Sequence, residues 1–292
     1  MIRLENTVAR AEIDPLGAEL RRWAVGDTPL IWAPDPAIWA DTAPILFPIV
    51  GWTRGGGVEV AGRRYPLGLH GFARTMTFRV LEQWPTHARL GLAASPASRA
   101  LYPFDWSLEV RYTLDGAALE VRIVVCNLGD GPMPYACGLH PGFRWPFAGG
   151  MPDDYEIVFA ERESSSVPVI SAEGLFTRQS RRLPLDGRRL ALSPALLSRE
   201  ALCFLDARSR GLRFAHPSGA AIDVSLEDFP HIALWSRPPG RFLSIEAWTG
   251  FGDRVDADGD LFEKDSMRHL PAGAQATHAA KFSFAPPHLL FR

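Results

Sequence analysis

Leu108-Glu109-Val110-Arg111-Tyr112-Thr113-Leu114-Asp115-Gly116-Ala117-Ala118-Leu119-Glu120-Val121-Arg122-Ile123-Val124-Val125 decides the fold class. In its first arm Leu108, Val110, Tyr112 and Leu114 alternate with Glu109, Arg111 and Thr113. A period of two gives a strand with one apolar face and one polar face. Asp115-Gly116 supplies a turn, and Leu119, Val121, Ile123 and Val125 resume the alternation. The pattern recurs in Leu212 and Phe214, then Pro217-Ser218-Gly219, then Ile222, Val224 and Leu226. It recurs again late in the chain, where Phe242, Ser244 and Glu246 fall on one strand face and Leu243, Ile245 and Ala247 on the other. With 26 Gly and 25 Pro the chain cannot be mainly helical, because proline breaks helices and sits at turns and strand edges. The reading is all-β, with packed antiparallel sheets. Helical turns are expected only at Ser193–Ser198, with Ser193 capping and Pro194 at the first helical position, and within Ala93–Leu101.

Composition narrows the function. A chain of 292 residues with 47% hydrophobic and 22% charged residues can bury a large core. No linker divides it, so residues 1–292 read as one domain; Glu161–Ser166 reads as a polar loop. The formal net charge of -2 argues against a nucleic-acid partner. No apolar run reaches membrane-spanning length, and Met1–Asn6 carries charges where a secretory leader needs an apolar stretch, so the expected location is cytoplasmic. Cys126, Cys137 and Cys203 are too few and too scattered for a disulfide framework and read as reduced thiols.

Two segments stand out for chemistry. Leu69-His70-Gly71-Phe72-Ala73-Arg74 and Gly138-Leu139-His140-Pro141-Gly142-Phe143-Arg144 each place a Leu before a His, a Gly close after it, then Phe and Arg. Such a repeat points to two imidazoles facing one cleft. His87, His216, His231, His269, His278 and His288 lack these surroundings and read as loop or inter-strand residues. No His or carboxylate spacing matches a metal site, so His70 and His140 read as proton handlers or hydrogen-bond donors. Pro44–Arg54 runs as an apolar strand into Gly51 and ends at Arg54, whose fork of donors could hold hydroxyls or a phosphate or could simply face solvent. Gly55-Gly56-Gly57 lacks the flanking residues of a phosphate loop and reads as a turn. Glu246 interrupts an apolar strand end, either paired structurally or held as a base with a raised pKa. The acidic stretch 253–260 departs from a calcium-loop pattern and reads as a solvated turn braced by Asp253 and Arg254.

Taken in order, these segments resemble the aldose 1-epimerase (mutarotase) family, in its shorter bacterial form. Asp14–Leu20, Leu30–Trp32, Ala43–Pro48, His70–Arg74, Gly138–Phe143 and Ile245–Gly250 carry the resemblance nearly end to end. It implies a large two-sheet galactose mutarotase-like β-sandwich, the supersandwich, with the site in a cleft across one sheet and no cofactor. It implies Glu246 as general base on the anomeric hydroxyl, His140 as general acid on the ring oxygen, and His70 as a sugar hydrogen-bond partner. Arg54, Arg74, Glu200 and Trp248 would complete the substrate site. In many relatives an Arg directly follows the Gly that ends the Phe-Pro strand; here Trp52 stands there and Arg54 comes two residues later. Relatives also often carry Asp where this chain has Glu200.

The function so implied is α/β interconversion of a free aldose, in a monomer or homodimer. One alternative is the same reaction on a hexose 6-phosphate, with Arg54 and Arg74 on the phosphate. Another is sugar binding without catalysis, which would not require Glu246 and His140. A glycosidase would need a second carboxylate beside Glu246, from Glu200 or Asp228.

Overall fold

Trp106–Asp115 and Ala118–Asn127 pair antiparallel in a computed structural model that describes residues 1–287. Leu108 lies opposite Val125, Tyr112 opposite Val121 and Leu114 opposite Leu119, so the apolar sets of both arms share a face. This hairpin belongs to a ten-stranded antiparallel sheet that also contains Gly211–Ala215, Ala221–Glu227 and the long strand Gln275–Ala285. Its outer face carries the polar half of the alternation, including Arg89 paired with Glu109 at 2.7 Å. Such exposed pairs add little stability, about 0–1 kcal/mol each. The packing energy lies on the inner face.

That face meets a six-stranded sheet made of Leu202–Phe204, His231–Trp235, Phe242–Trp248, Gly138–Leu139, Gly142–Arg144 and Ile45–Leu46. Leu243, Ile245 and Ala247 point into the core with Leu139, Phe143, Ile232 and Leu234. An N-terminal four-stranded sheet closes one side of that core. Trp23 from this sheet, Phe143 from the six-stranded sheet and Phe282 from the ten-stranded sheet form one aromatic cluster, with centroids 5.3–6.5 Å apart. One contiguous apolar core thus joins all three sheets.

Among the described residues the α-helix is confined to Pro96–Arg99, capped reciprocally by Ser95 and Ser98. The Ser193 segment forms a turn and not a helix. Leu196 N–H does reach the Ser193 carbonyl at 3.1 Å and its hydroxyl at 3.2 Å. Its backbone bonds are of the three-residue turn type, Leu196 to Ser193 and Ser198 to Ala195, whereas Pro96–Arg99 closes four-residue bonds from Arg99 to Ser95 and from Ala100 to Pro96. His87, His231, His269 and His278 lie within strands, against the loop reading; His216 is in a turn, and His288 lies outside the described residues. The strands tolerate the buried imidazoles because each finds partners. His231 Nδ1 accepts from Asp206 N–H at 2.9 Å, and His278 sits between the Tyr135 hydroxyl at 2.9 Å and Asp228.

The His70 loop is fixed by backbone contact. Phe47 N–H donates to the His70 carbonyl, and Phe72 and Ala73 N–H both donate to the Phe47 carbonyl. His70 itself has a φ of 62° and Gly71 a φ of 71°. A Cβ added at Gly71 would lie 2.2 Å from the Phe47 carbonyl oxygen. The obstacle is backbone, so it cannot swing aside. Gly71→Ala is expected to lose about 3 kcal/mol or more of unfolding free energy, measurable by chemical denaturation. A loss below about 1 kcal/mol would show that the loop is free to shift.

Candidate active site

His140 and Glu246 meet because the register of the sheet is kept across a gap in the ladder. Gly138 pairs with Trp248 and Leu139 with Ala247; three residues later Gly142 pairs with Ser244. That spacing leaves His140 opposite Glu246. Cross-strand neighbours share a face, and His140 Nε2 lies 3.2 Å from Glu246 Oε2. Ser244, two residues along on the same face, fixes the other ring nitrogen: its Oγ is 2.9 Å from His140 Nδ1 and 3.1 Å from the Pro141 carbonyl. A carbonyl can only accept, so the single hydroxyl proton goes to Pro141 and Nδ1–H donates to Ser244. Nε2 is then free to exchange a proton with Glu246 or with a ligand. Trp248 Nε1–H donates to Glu246 Oε2 at 3.0 Å.

Both groups are buried, and burial sets their charge. Glu246 is pushed well above the usual carboxylate range by loss of hydration, which the Trp248 hydrogen bond only partly offsets. His140 is pushed down to about 3, first by burial and then by the Arg74 charge. The walls explain this: Trp39 and Trp235 lie 5.2 and 5.5 Å from the His140 ring. The pair therefore rests neutral, with the carboxyl of Glu246 holding the proton and His140 Nε2 unprotonated 3.2 Å from it.

His70 stands edge-on to His140, with ring centroids 5.5 Å apart. Gly51 N–H donates to His70 Nδ1 at 3.1 Å, which places the His70 proton on Nε2. Burial, then the His140 and Arg74 charges, hold its pKa well below the ordinary value. His70 is thus a neutral hydrogen-bond donor.

These groups floor a cavity of about 510 Å³, within the range of small-molecule sites. It is lined also by Arg74, Glu200, Trp248, Trp52, Arg199 and Arg237. Arg74 is held on the wall by Asp41 at 2.8 Å, and Glu200 lies 3.0 Å from Arg181 Nε. The tip of the hairpin Ser166–Ile170 and Phe176–Arg182 forms one side.

Arg54 is the exception among the sequence-derived candidates and does not line this cavity. A short 3-10 turn at Arg54–Gly56 redirects the chain, and Arg54 Nη1 donates to the Ala257 carbonyl at 2.8 Å. Its backbone N–H donates to Asp253, which also pairs with buried Lys264. The acidic stretch is therefore braced by Lys264–Asp253 and Arg254–Asp265, not by an Asp253–Arg254 pair. Asp228 also lies elsewhere, tied to Arg268 and His278, so the Glu246–Asp228 combination is not assembled. The imidazole and the carboxyl sit side by side on the floor of the hollow, because one ladder holds both. Ser244 could have been found from its place on the Glu246 face. Trp39, Trp235, Arg199 and Arg237 carried no sequence signal.

The buried imidazoles also make stability pH-dependent. His140 is lowered to about 3, His231 to about 4, each first by burial, and His70 is lowered as well. Below an ordinary pKa near 6.5 the unfolded chain takes up protons that the folded chain refuses, so stability falls with falling pH. The window runs from about 6.5 down to about 4, with a slope of about 1.4 kcal/mol per pH unit for each histidine. Denaturation curves at stepped pH test this; His140→Asn should remove one proton from the slope.

A family model for aldose 1-epimerase matches residues 1–189. The plasmid-encoded protein LacX of Lactococcus lactis subsp. lactis is 32% identical over 275 residues, which cover 90% of this chain and 91% of LacX. Among solved structures, a galactose mutarotase related enzyme from Lactobacillus acidophilus superposes with a TM-score of 0.90 at 29% identity, covering 98% of this chain and 97% of that one. A galactose mutarotase-like protein from Lactobacillus casei gives 0.91 at 27% identity, over 98% of this chain and 100% of its own. The galactose mutarotase-like sandwich is thus the fold of this chain.

Proposed function

From a chain that belongs to the aldose 1-epimerase family, we propose that this protein interconverts the α and β anomers of an aldose by ring opening and reclosure. The observation that carries the reading is the side-by-side placement of Glu246 and His140 on the cavity floor. A hemiacetal has two reacting oxygens, the anomeric hydroxyl and the ring oxygen, bonded to the same carbon. An adjacent base and acid suit two oxygens that are themselves adjacent. Glu246 takes the proton of the anomeric hydroxyl while His140 Nε2–H protonates the ring oxygen. The ring C–O bond breaks and the anomeric carbon becomes an aldehyde. Rotation about the C1–C2 bond presents its other face. On reclosure the roles reverse: His140 removes the proton from the chain hydroxyl and Glu246 returns one to the aldehyde oxygen. At rest the opposed shifts leave this proton on Glu246, so the cycle begins when substrate binding moves it across the 3.2 Å contact to His140 Nε2, and ring opening returns it to Glu246. No proton need be drawn from solvent. His70 Nε2–H and the Arg74 fork orient the sugar hydroxyls.

A second reading keeps the chemistry and takes a hexose 6-phosphate. Its support is the lining by Arg199 and Arg237, which have no carboxylate partner among the described residues. Polarimetry, or NMR saturation exchange between anomers, on fresh α-glucose, α-galactose and α-glucose 6-phosphate tests both. Acceleration of none of the three over buffer would remove the enzyme reading. Acceleration of the phosphate alone would select the second.

A further inference from the structure

We propose that Trp52 is a sugar-contacting, specificity-determining residue that offers the face of its indole to the C–H face of an aldopyranose. The inference rests on the sugar site proposed above and adds a recognition element to it.

The nine tryptophans of the chain separate by what their rings do. Trp23, Trp32, Trp39, Trp84, Trp106 and Trp235 pack against other aromatic rings. Trp145 and Trp248 donate their indole N–H to the Pro152 carbonyl and to Glu246. Among the described residues Trp52 alone has neither a ring partner nor an acceptor for its N–H. It is 43% exposed, and the exposed surface faces the cavity that contains His70, His140 and Glu246. A large flat side chain left without partners on a cavity wall is poised for a ligand with an apolar face and a hydroxyl edge.

Its position is nevertheless rigid. Asp253 N–H donates to the Trp52 carbonyl at 2.8 Å. A Cβ added at Gly51 would lie 2.7 Å from Gly252 Cα, so the two backbones are in close contact beside Trp52. The pyrrole end of the indole rests against the hairpin tip: a Cβ added at Gly174 would lie 2.0 Å from Trp52 Cδ1, 2.5 Å from Nε1 and 2.9 Å from Cγ. Only a glycine there lets the tip close onto the ring. An aromatic plate held at its backbone and at its pyrrole end loses little freedom when a ligand packs on the rest of the ring, which is what preorganised binding requires. Arg54 does not supply the grip instead, because its guanidinium is bound to the Ala257 carbonyl.

A plate that contacts the ring in both ground and transition states acts on binding, so its removal should raise KM and spare kcat. Trp52→Ala should raise KM about tenfold or more with kcat within about threefold, and Trp52→Phe should stay within about threefold of wild type in both. Sugar titration of intrinsic fluorescence provides a second reading that does not need turnover: a saturable change in wild type should be diminished in Trp52→Phe, because Trp39, Trp235 and Trp248 also line the cavity, while that variant still turns over. An active wild type whose KM is unchanged in Trp52→Ala overturns the proposal and leaves the epimerase reading intact. A wild type without turnover but with a saturable, Trp52-dependent fluorescence change keeps the platform and overturns the reaction. Neither turnover nor a saturable response with any aldose tested overturns both.

Discussion

Glu246→Gln is expected to lower kcat by about 10²–10⁴ on whichever aldose is turned over, with KM changed only a few-fold. The amide keeps the shape of the carboxyl and can still accept from Trp248 Nε1–H, now 3.0 Å from Oε2. It cannot take the anomeric proton. The lost interaction exists only in the transition state, so kcat and kcat/KM should fall together. The same variant has a stability signature of opposite sense. Burial raises the Glu246 pKa well above its ordinary value, so the folded chain holds a proton that the unfolded chain has released at neutral pH. That linkage takes stability away as pH rises above the ordinary carboxyl range. The glutamine has no proton to lose. Denaturation at pH 5, 6, 7 and 8 should therefore show the variant gaining on wild type as pH increases. Full activity in Glu246→Gln would end the proposed mechanism. A stability difference independent of pH would show that Glu246 keeps an ordinary pKa.

His140→Asn should lose a similar factor, about 10²–10⁴ in kcat. Asparagine can place a donor near the ring oxygen, but it does not give up a proton in this pH range. The double variant with Glu246→Gln should be little slower than either single variant, because the two side chains pass one proton between them and act as a unit. Additive losses would mean that the two residues work independently, against the 3.2 Å contact that joins them. Stopped-flow polarimetry on the four proteins measures this, and near-wild-type turnover in His140→Asn would assign the acid elsewhere.

Alternation made the sheets legible. The period of two in Leu108–Val125 assigned the hairpin, its turn and its buried face, because side chains on a strand must alternate between faces. The same rule put Phe242, Ser244 and Glu246 on one face, and that face turns Glu246 to the cavity floor. It could not give the contents of the cavity walls. Trp39 reaches His140 from a loop a hundred residues earlier, and the tip near Gly174 approaches from a separate hairpin; no local period encodes either contact. Arg54 shows the same limit from the other side. Its place after an apolar strand suggested a substrate ligand, yet a three-residue turn carries it to Ala257.

By itself, then, the sequence determined the strand faces, the all-β class and the two imidazoles and one carboxyl worth following, since each follows from near neighbours along the chain. Tertiary structure alone decided that His140 stands beside Glu246, that burial drives their pKa values in opposite directions, and that Trp52 is left on the cavity wall without a ring partner. Those depend on the register between strands a hundred residues apart and on which groups exclude water from them, and both are set only when the sheets pack.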